Sequence, residues 1–191
     1  MVVTVDGPAG VGKSTVARLL AERLGLRHVD TGAMYRELTA AALELGVDPG
    51  DGAALAALVG VAPAAGTDIR SERVSAAVSI VSAHPAVRDR MRLRQRELAV
   101  DAVLEGRDTG TRVCPEADVK VYLTASPAVR AARRARDLGL PVDEVERSLA
   151  RRDRLDRVQL RPAADAVVID TSQLGVESVV DRVLSLVKGV R

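Results

Sequence analysis

The chain contains no phenylalanine and no tryptophan, and Tyr35 and Tyr122 are its only tyrosines. Recognition modes that stack bases on aromatic platforms, such as RRM-type or single-strand-binding surfaces, are therefore poorly served. A single cysteine, Cys114, excludes an internal disulfide, and with no Cys/His cluster a zinc site is not expected. Lysine occurs only at positions 13, 120 and 188, which leaves 25 of the 28 basic residues as arginine. Long apolar runs are missing as well. The longest Ala/Val/Leu-rich stretch, Ala53 to Ala65, holds Gly60 and Pro63 and is too short to span a bilayer. Asp6 interrupts the apolar start and no basic segment precedes it, so no signal peptide is expected and a reducing, cytoplasmic setting is the default. A formal net charge of +2 does not demand a generic polyanion partner.

What remains is a soluble, globular balance: 47% hydrophobic and 28% charged residues over 191 positions, enough for one compact domain. Its core must be built from Ala, Val, Leu and Ile. Val2–Val5 reads as a buried β-branched strand, followed by a glycine-rich turn from Gly7 to Gly12. Val16, Leu19, Leu20 and Leu24 then recur at helical spacing until Gly25 stops the helix. Further strands are predicted at Arg27–Val29, Ala102–Leu104, Val119–Leu123 and Ala166–Ile169, separated by helical stretches. This alternation is α/β: a central parallel five-stranded sheet flanked by helices. Two stretches depart from it. Residues 48–98 read as helices with a loop around Pro63–Thr67, and residues 128–157 as an arginine-rich helical pair broken at Gly139-Leu140-Pro141. The expected organisation is one domain with a core of residues 1–47, 99–127 and 158–191 and these two excursions.

Gly7-Pro8-Ala9-Gly10-Val11-Gly12-Lys13-Ser14 matches the phosphate-binding pattern G-x-x-x-x-G-K-[ST], and Thr15 follows it. The glycines let backbone N–H groups converge on phosphate oxygens, and the following helix adds its positive N-terminal end. Lys13 would reach the outer phosphates of ATP or GTP, and the Ser14 hydroxyl would help hold Mg²⁺. A loop of this kind does not say where the phosphoryl group goes.

Three further segments bear on the acceptor. Asp30-Thr31-Gly32-Ala33-Met34-Tyr35-Arg36 follows a strand, with Thr31 placed to cap the next helix and Arg36 about one turn in. A capped helix with a surface arginine reads the same way. Glu105-Gly106-Arg107-Asp108-Thr109-Gly110-Thr111 lies at a strand's carboxyl end, where open parallel sheets bind ligands. A self-paired Arg–Asp turn is its plainer alternative. In Arg151-Arg152-Asp153-Arg154-Leu155-Asp156-Arg157, Arg152 and Asp156 share a helix face, as they also would in a solvated face laced with ion pairs.

Taken in order, GPAGVGKST, DTGAMYR, EGRDTGT, VKVYLTASPAVRAARR, RRDRLDR and PAADAVVID resemble the bacterial cytidylate (CMP/dCMP) kinases over nearly the whole chain. The resemblance implies that ATP phosphorylates CMP or dCMP with Mg²⁺, in a P-loop kinase fold with an acceptor-binding excursion and an arginine-rich lid. It further implies that Arg36 and Arg107 hold the acceptor phosphate and that Asp108 reads the cytosine together with Ser79 and Arg88. Arg152 and Asp156 would contact the ribose, and Lys13, Arg36, Arg107 and Arg152 would form the catalytic set. Two departures stand out. The insert between Val61 and Ile69 is short, and Arg157 is the candidate replacement for a phosphate-binding arginine usually found in a longer stretch after Asp156.

A monophosphate acceptor is already an anion near neutral pH, so no strong general base is needed, and His28 and His84 receive no catalytic role. The obstacle is repulsion: unit charges ~4 Å apart cost about 4 kcal/mol at an effective dielectric of about 20. Lysine, arginines and Mg²⁺ together answer it. Arg133, Arg134, Arg151 and Arg152 are the lid candidates for the transferring phosphoryl group. UMP, AMP or shikimate as acceptor, or a nucleotide-gated binding module, remain open on the residues alone. The acids interleaved in the lid weigh against nucleic acid, and a membrane partner is not expected. A monomer is the simpler expectation.

Overall fold

The computed structural model describes residues 1–190. Its elements run β1 (Val2–Asp6), α1 (Lys13–Leu24), β2 (Arg27–Asp30), α2 (Thr31–Glu44), α3 (Gly52–Ala57), α4 (Glu72–Val81) and α5 (Pro85–Leu98). They continue with β3 (Ala102–Gly106), a π-helical turn (Thr109–Val113), β4 (Val119–Thr124), α6 (Pro127–Leu138), α7 (Val142–Leu155), β5 (Val167–Asp170) and α8 (Val176–Val190). The five strands form one parallel sheet in the order β2-β3-β1-β4-β5. In the centre Val3 pairs with Val103 on one side and Val119 on the other, and Val121 pairs outward with Val167.

The chain divides into two compact units: Met1–Val29 with the chain from Ala99 onward, and Asp30–Leu98. In the first, Val3, Val5, Leu20, Val103, Leu123, Val180 and Val183 are fully buried between the sheet and helices α1 and α8. Each such side chain contributes about 1.5–3 kcal/mol, so an aliphatic core suffices without large aromatics. Tyr122 belongs to this framework: its hydroxyl donates to the Leu160 carbonyl at 3.1 Å. Helices α6 and α7 pack on each other through Ala131, Ala135, Val145 and Leu149, with Ala9 of the glycine-rich loop against them. Gly139 ends α6 at φ 66°, a left-handed cap that glycine adopts without strain.

The second unit begins at Asp30, earlier than the expected excursion start at residue 48, because α2 packs with the helices that follow it. Leu38, Ala42, Leu55, Val81, Val87 and Met91 form its core, with Tyr35 packed alongside. From Thr31 to Leu98 the described residues are helices and turns without a strand. His84 is structural: its Nε2 lies 2.9 Å from the Pro49 carbonyl.

Candidate active site

The loop joining β1 to α1 is shaped by two close approaches. Gly7 has φ +145°, and a Cβ there would lie 2.3 Å from the Leu123 carbonyl oxygen of β4. Gly10 has φ +83° and faces the Arg130 carbonyl, 2.8 Å from where its Cβ would be. Only glycine fits both positions. Gly12 then caps α1 in the left-handed region with no side-chain acceptor, leaving first-turn N–H groups to an external anion. From behind, the Arg130 guanidinium donates to the Ala9 carbonyl at 3.3 Å and pairs with Asp153 at 2.8 Å. Thr171 Oγ1, which accepts from Arg133 at 3.0 Å, has its one proton within reach of both the Thr124 carbonyl at 3.0 Å and the Val11 carbonyl at 3.2 Å. These contacts tie the Ala9 and Val11 carbonyls to α6 and to the end of β5.

Lys13 Nζ donates to the Pro8 carbonyl at 2.8 Å, spanning its own loop. Desolvation, followed by the nearby Arg107, pushes its pKa down to about 8, while Glu105 acts in the opposite sense. Ser14 Oγ donates to Glu105 Oε2 at 2.8 Å, and His28 Nε2 lies 2.9 Å from Glu105 Oε1. A hydroxyl and a carboxylate are hard oxygen donors of the kind Mg²⁺ takes, so Ser14 and Glu105 fit that ion. Among the described residues no group of three His, Cys, Asp or Glu is placed to hold a metal. A divalent cation here would therefore depend on substrate phosphates as well.

The segment after β3 is pinned from below by β1. Asp6 accepts from the Thr109 amide at 2.9 Å, the Thr109 hydroxyl at 2.8 Å and the Gly110 amide at 2.8 Å. Burial pushes the Asp6 carboxyl up against the opposing pull of those bonds. The turn that results is a π-helical one, with the Cys114 amide reaching the Thr109 carbonyl at 2.8 Å. Arg107 projects from this segment and meets Asp156 at the end of α7 at 3.0 Å, while Arg152 Nε stands 3.7 Å from the same oxygen. Burial, with Arg152 next to it, lowers the Arg107 pKa against the pull of Asp156 and Asp153. Arg107 Nη1 is a buried nitrogen without a hydrogen-bond partner, the state in which a guanidinium best receives an anion.

The first unit thus brings Lys13, Ser14, Arg107, Arg152 and Asp156 into one electrostatic neighbourhood. Asp108 precedes the π-helical turn and its carbonyl accepts the Arg112 amide at 2.8 Å. Of the lid candidates, Arg133 is tied to the Thr171 hydroxyl and carbonyl, the latter at 2.7 Å, and Arg151 is exposed. Arg157 is also exposed, beyond the end of α7.

In the second unit Asp30 caps α2 by accepting the Ala33 amide at 2.9 Å. Thr31, expected as the cap, is instead the first helical residue. A cap must precede the helix and reach its third amide, and the carboxylate of Asp30 has that position. Asp30 also lies 4.0 Å from Arg70, and Arg36 Nη1 is 3.4 Å from Ser75 Oγ of α4. Ser79 sits exposed on α4, and Arg88 on α5 reaches the Ser82 carbonyl at 3.5 Å.

Glu105, Asp6 and His28 were not singled out as site residues from the sequence. For both carboxylates a signal existed, since each is an acidic residue at the carboxyl end of a buried strand.

A family model described as cytidylate kinase matches residues 3–189. The cytidylate kinase of Rhodococcus opacus (strain B4) is 46% identical, covering 98% of this chain and 94% of the relative. That of Shouchella clausii (strain KSM-K16) is 45% identical, covering 97% and 95%. Among solved structures, a shikimate kinase from Acinetobacter baumannii in complex with shikimate superposes with a TM-score of 0.56 at 19% identity, over 98% of this chain and 92% of that one. A gluconokinase from Sinorhizobium meliloti 1021 gives 0.52 at 18%, over 99% and 93%. At such identities these two structures speak for the fold alone.

Proposed function

The chain belongs to the cytidylate kinase family, and from that premise we infer that it transfers the γ-phosphoryl group of ATP to CMP or dCMP, releasing ADP and CDP or dCDP. The observation that carries this reading is the meeting of three sequence motifs in one unit. The glycine-rich loop presents Lys13 and Ser14 beside Arg107 of the second motif, which contacts Asp156 of the third.

In this reading the loop from Gly7 to Thr15, through its N–H groups at every residue but Pro8, and the Lys13 ammonium cradle the ATP phosphates. Ser14, backed by Glu105, would hold Mg²⁺, which supplies positive charge between the donor and acceptor phosphates when bound. Arg36 and Arg107 grip the acceptor phosphate, and Arg152 joins them on the transferring group. Arginine suits the task, since its fixed fork takes two phosphate oxygens and stays protonated even when burial lowers its pKa. Asp30 and Thr31 shape the start of the acceptor-side helix. Asp108, Ser79 and Arg88 read the cytosine, and Asp156 accepts from a ribose hydroxyl. The acceptor oxygen attacks the γ-phosphorus as the bond to the ADP oxygen breaks. Since that oxygen arrives as an anion, no proton need be removed from it.

Water is the rival acceptor. The α6–α7 pair, tied to the loop through Arg130, is the element suited to exclude it. The proposal includes a monomer working in the cytoplasm. No helix among the described residues is long and apolar enough to cross a membrane.

The test is ADP release from ATP with CMP, dCMP, UMP, AMP, shikimate or no acceptor. Release with CMP and dCMP well above the blank and above the other acceptors is expected. Equal release in all reactions would remove the acceptor assignment.

A further inference from the structure

We propose that His28 is a positioning residue for the metal-and-phosphate end of the site, acting through Glu105 on the Ser14 hydroxyl. The inference rests on the reading of Ser14 as a Mg²⁺ ligand and names what orients it.

Glu105 is 3% exposed, so both of its oxygens need partners inside the protein. Oε2 takes the proton of Ser14 Oγ at 2.8 Å, and Oε1 faces His28 Nε2 at 2.9 Å. A carboxylate oxygen accepts, so Nε2 carries the hydrogen and the ring donates. The histidine comes from β2, which neighbours β3 in the sheet, and Glu105 lies on β3. Two adjacent strands thus fix the carboxylate between them more tightly than a loop residue would.

The consequence falls on Ser14. A serine hydroxyl rotates freely unless its hydrogen is engaged. With that hydrogen directed at Glu105, the oxygen's lone pairs are turned away from the carboxylate and are free to meet a cation. Removing His28 takes that hydrogen bond from Oε1 and loosens the hold of β2 on the Glu105 carboxyl group. The acceptor of Ser14 is then held less firmly. Groups that orient a metal ligand in this way typically change metal affinity by roughly 10- to 100-fold when removed. The His28 side chain itself is 28% exposed, so its replacement leaves no large internal void.

The test uses the full-length protein and a non-hydrolysable ATP analogue with an imido bridge between the β- and γ-phosphorus. Its dissociation constant is measured by calorimetry in EDTA and in MgCl₂, and the ratio of the two is the metal enhancement. In the unaltered protein the metal strengthens binding, and Ser14→Ala abolishes that gain. His28→Ala is expected to cut the enhancement by roughly tenfold, leaving the EDTA value and the KM for CMP within about twofold. His28→Gln can bring an amide N–H to the same carboxylate oxygen and is expected to restore most of the enhancement. An unchanged enhancement in His28→Ala overturns the proposal. So does an equal loss in EDTA and MgCl₂, or a His28→Gln variant no better than His28→Ala, because either marks a merely structural role. If Ser14→Ala keeps the full enhancement, the magnesium reading itself fails and the proposal falls with it.

Discussion

Arg107 and Asp156 lie 49 positions apart in sequence, yet their charged groups meet at 3.0 Å. This contact joins the segment after β3 to the far end of α7. It places the guanidinium that would hold the acceptor phosphate against the carboxylate that would hold the ribose. Arg152 approaches the same oxygen, so Asp156 offsets two positive charges at once.

Replacing Asp156 by alanine leaves Arg107 and Arg152 facing each other without that anion. A charge-assisted hydrogen bond contributes about 1.5–3 kcal/mol, so kcat/KM for CMP should fall roughly 10- to 100-fold. The loss should appear in the KM for CMP and far less in that for ATP. Steady-state kinetics with each substrate varied in turn make the distinction, and unchanged constants for CMP and dCMP would dissociate Asp156 from the ribose.

Lys13→Ala removes the ammonium from the loop but only a single carbonyl contact from the fold, that to Pro8. Turnover should drop by roughly 10³-fold, at the upper range for loss of one preorganised charge-stabilising group. Circular dichroism and the thermal midpoint should remain close to those of the unaltered protein. Robust activity in this variant would take the loop out of the mechanism.

The pKa of Lys13, pushed down to about 8 first by desolvation and then by Arg107, sets a pH signature. Below that value the ammonium is charged and attracts phosphate. Above it the charge is lost, so ATP affinity in the absence of acceptor should weaken by up to about tenfold per pH unit. Bound phosphates stabilise the charge, which moves the bend to higher pH in the complex. For folding the sign is the reverse: the strained charged form costs stability below about pH 8, and that cost is relieved as the pH rises from there toward the ordinary lysine value of 10.5. Titration calorimetry between pH 6.5 and 9.5 should show the bend, and Lys13→Arg should abolish it.

Gly7→Ala tests the close approach of the loop to β4. A methyl group 2.3 Å from the Leu123 carbonyl oxygen cannot be accommodated without moving backbone, and φ is already +145°. Overpacking and backbone strain together should cost about 3 kcal/mol or more. For a chain of this size that lowers the thermal midpoint by roughly 6–12 °C. A shift under about 2 °C would mean that the loop yields easily.

Much of this was legible in the residues themselves. The β-branched run at Val2–Val5, the left-handed glycines ending α1 and α6, and the complete Gly-Lys-Ser end of the loop mark local structure through local chemistry. The hydrogen bonds to Glu105 were not. Ser14 and Glu105 are separated by 91 positions, and they meet only because β3 lies beside β1 in the sheet. The cap of α2 shows the opposite limit: Asp30 and Thr31 are both good caps, and a shift of one residue in the helix start decides between them. Arg133 could be read as a mobile lid arginine from its helix, but not that Thr171, 38 positions later, would engage it.

The central claim is that the γ-phosphoryl group passes to a cytidine monophosphate and not to water. Phosphorus NMR of a reaction holding the protein, ATP, CMP and Mg²⁺ follows every product at once. CDP and ADP are expected to grow in equal amounts, with negligible inorganic phosphate, until equilibrium is reached. Accumulation of inorganic phosphate and ADP with CMP left unchanged would contradict the account.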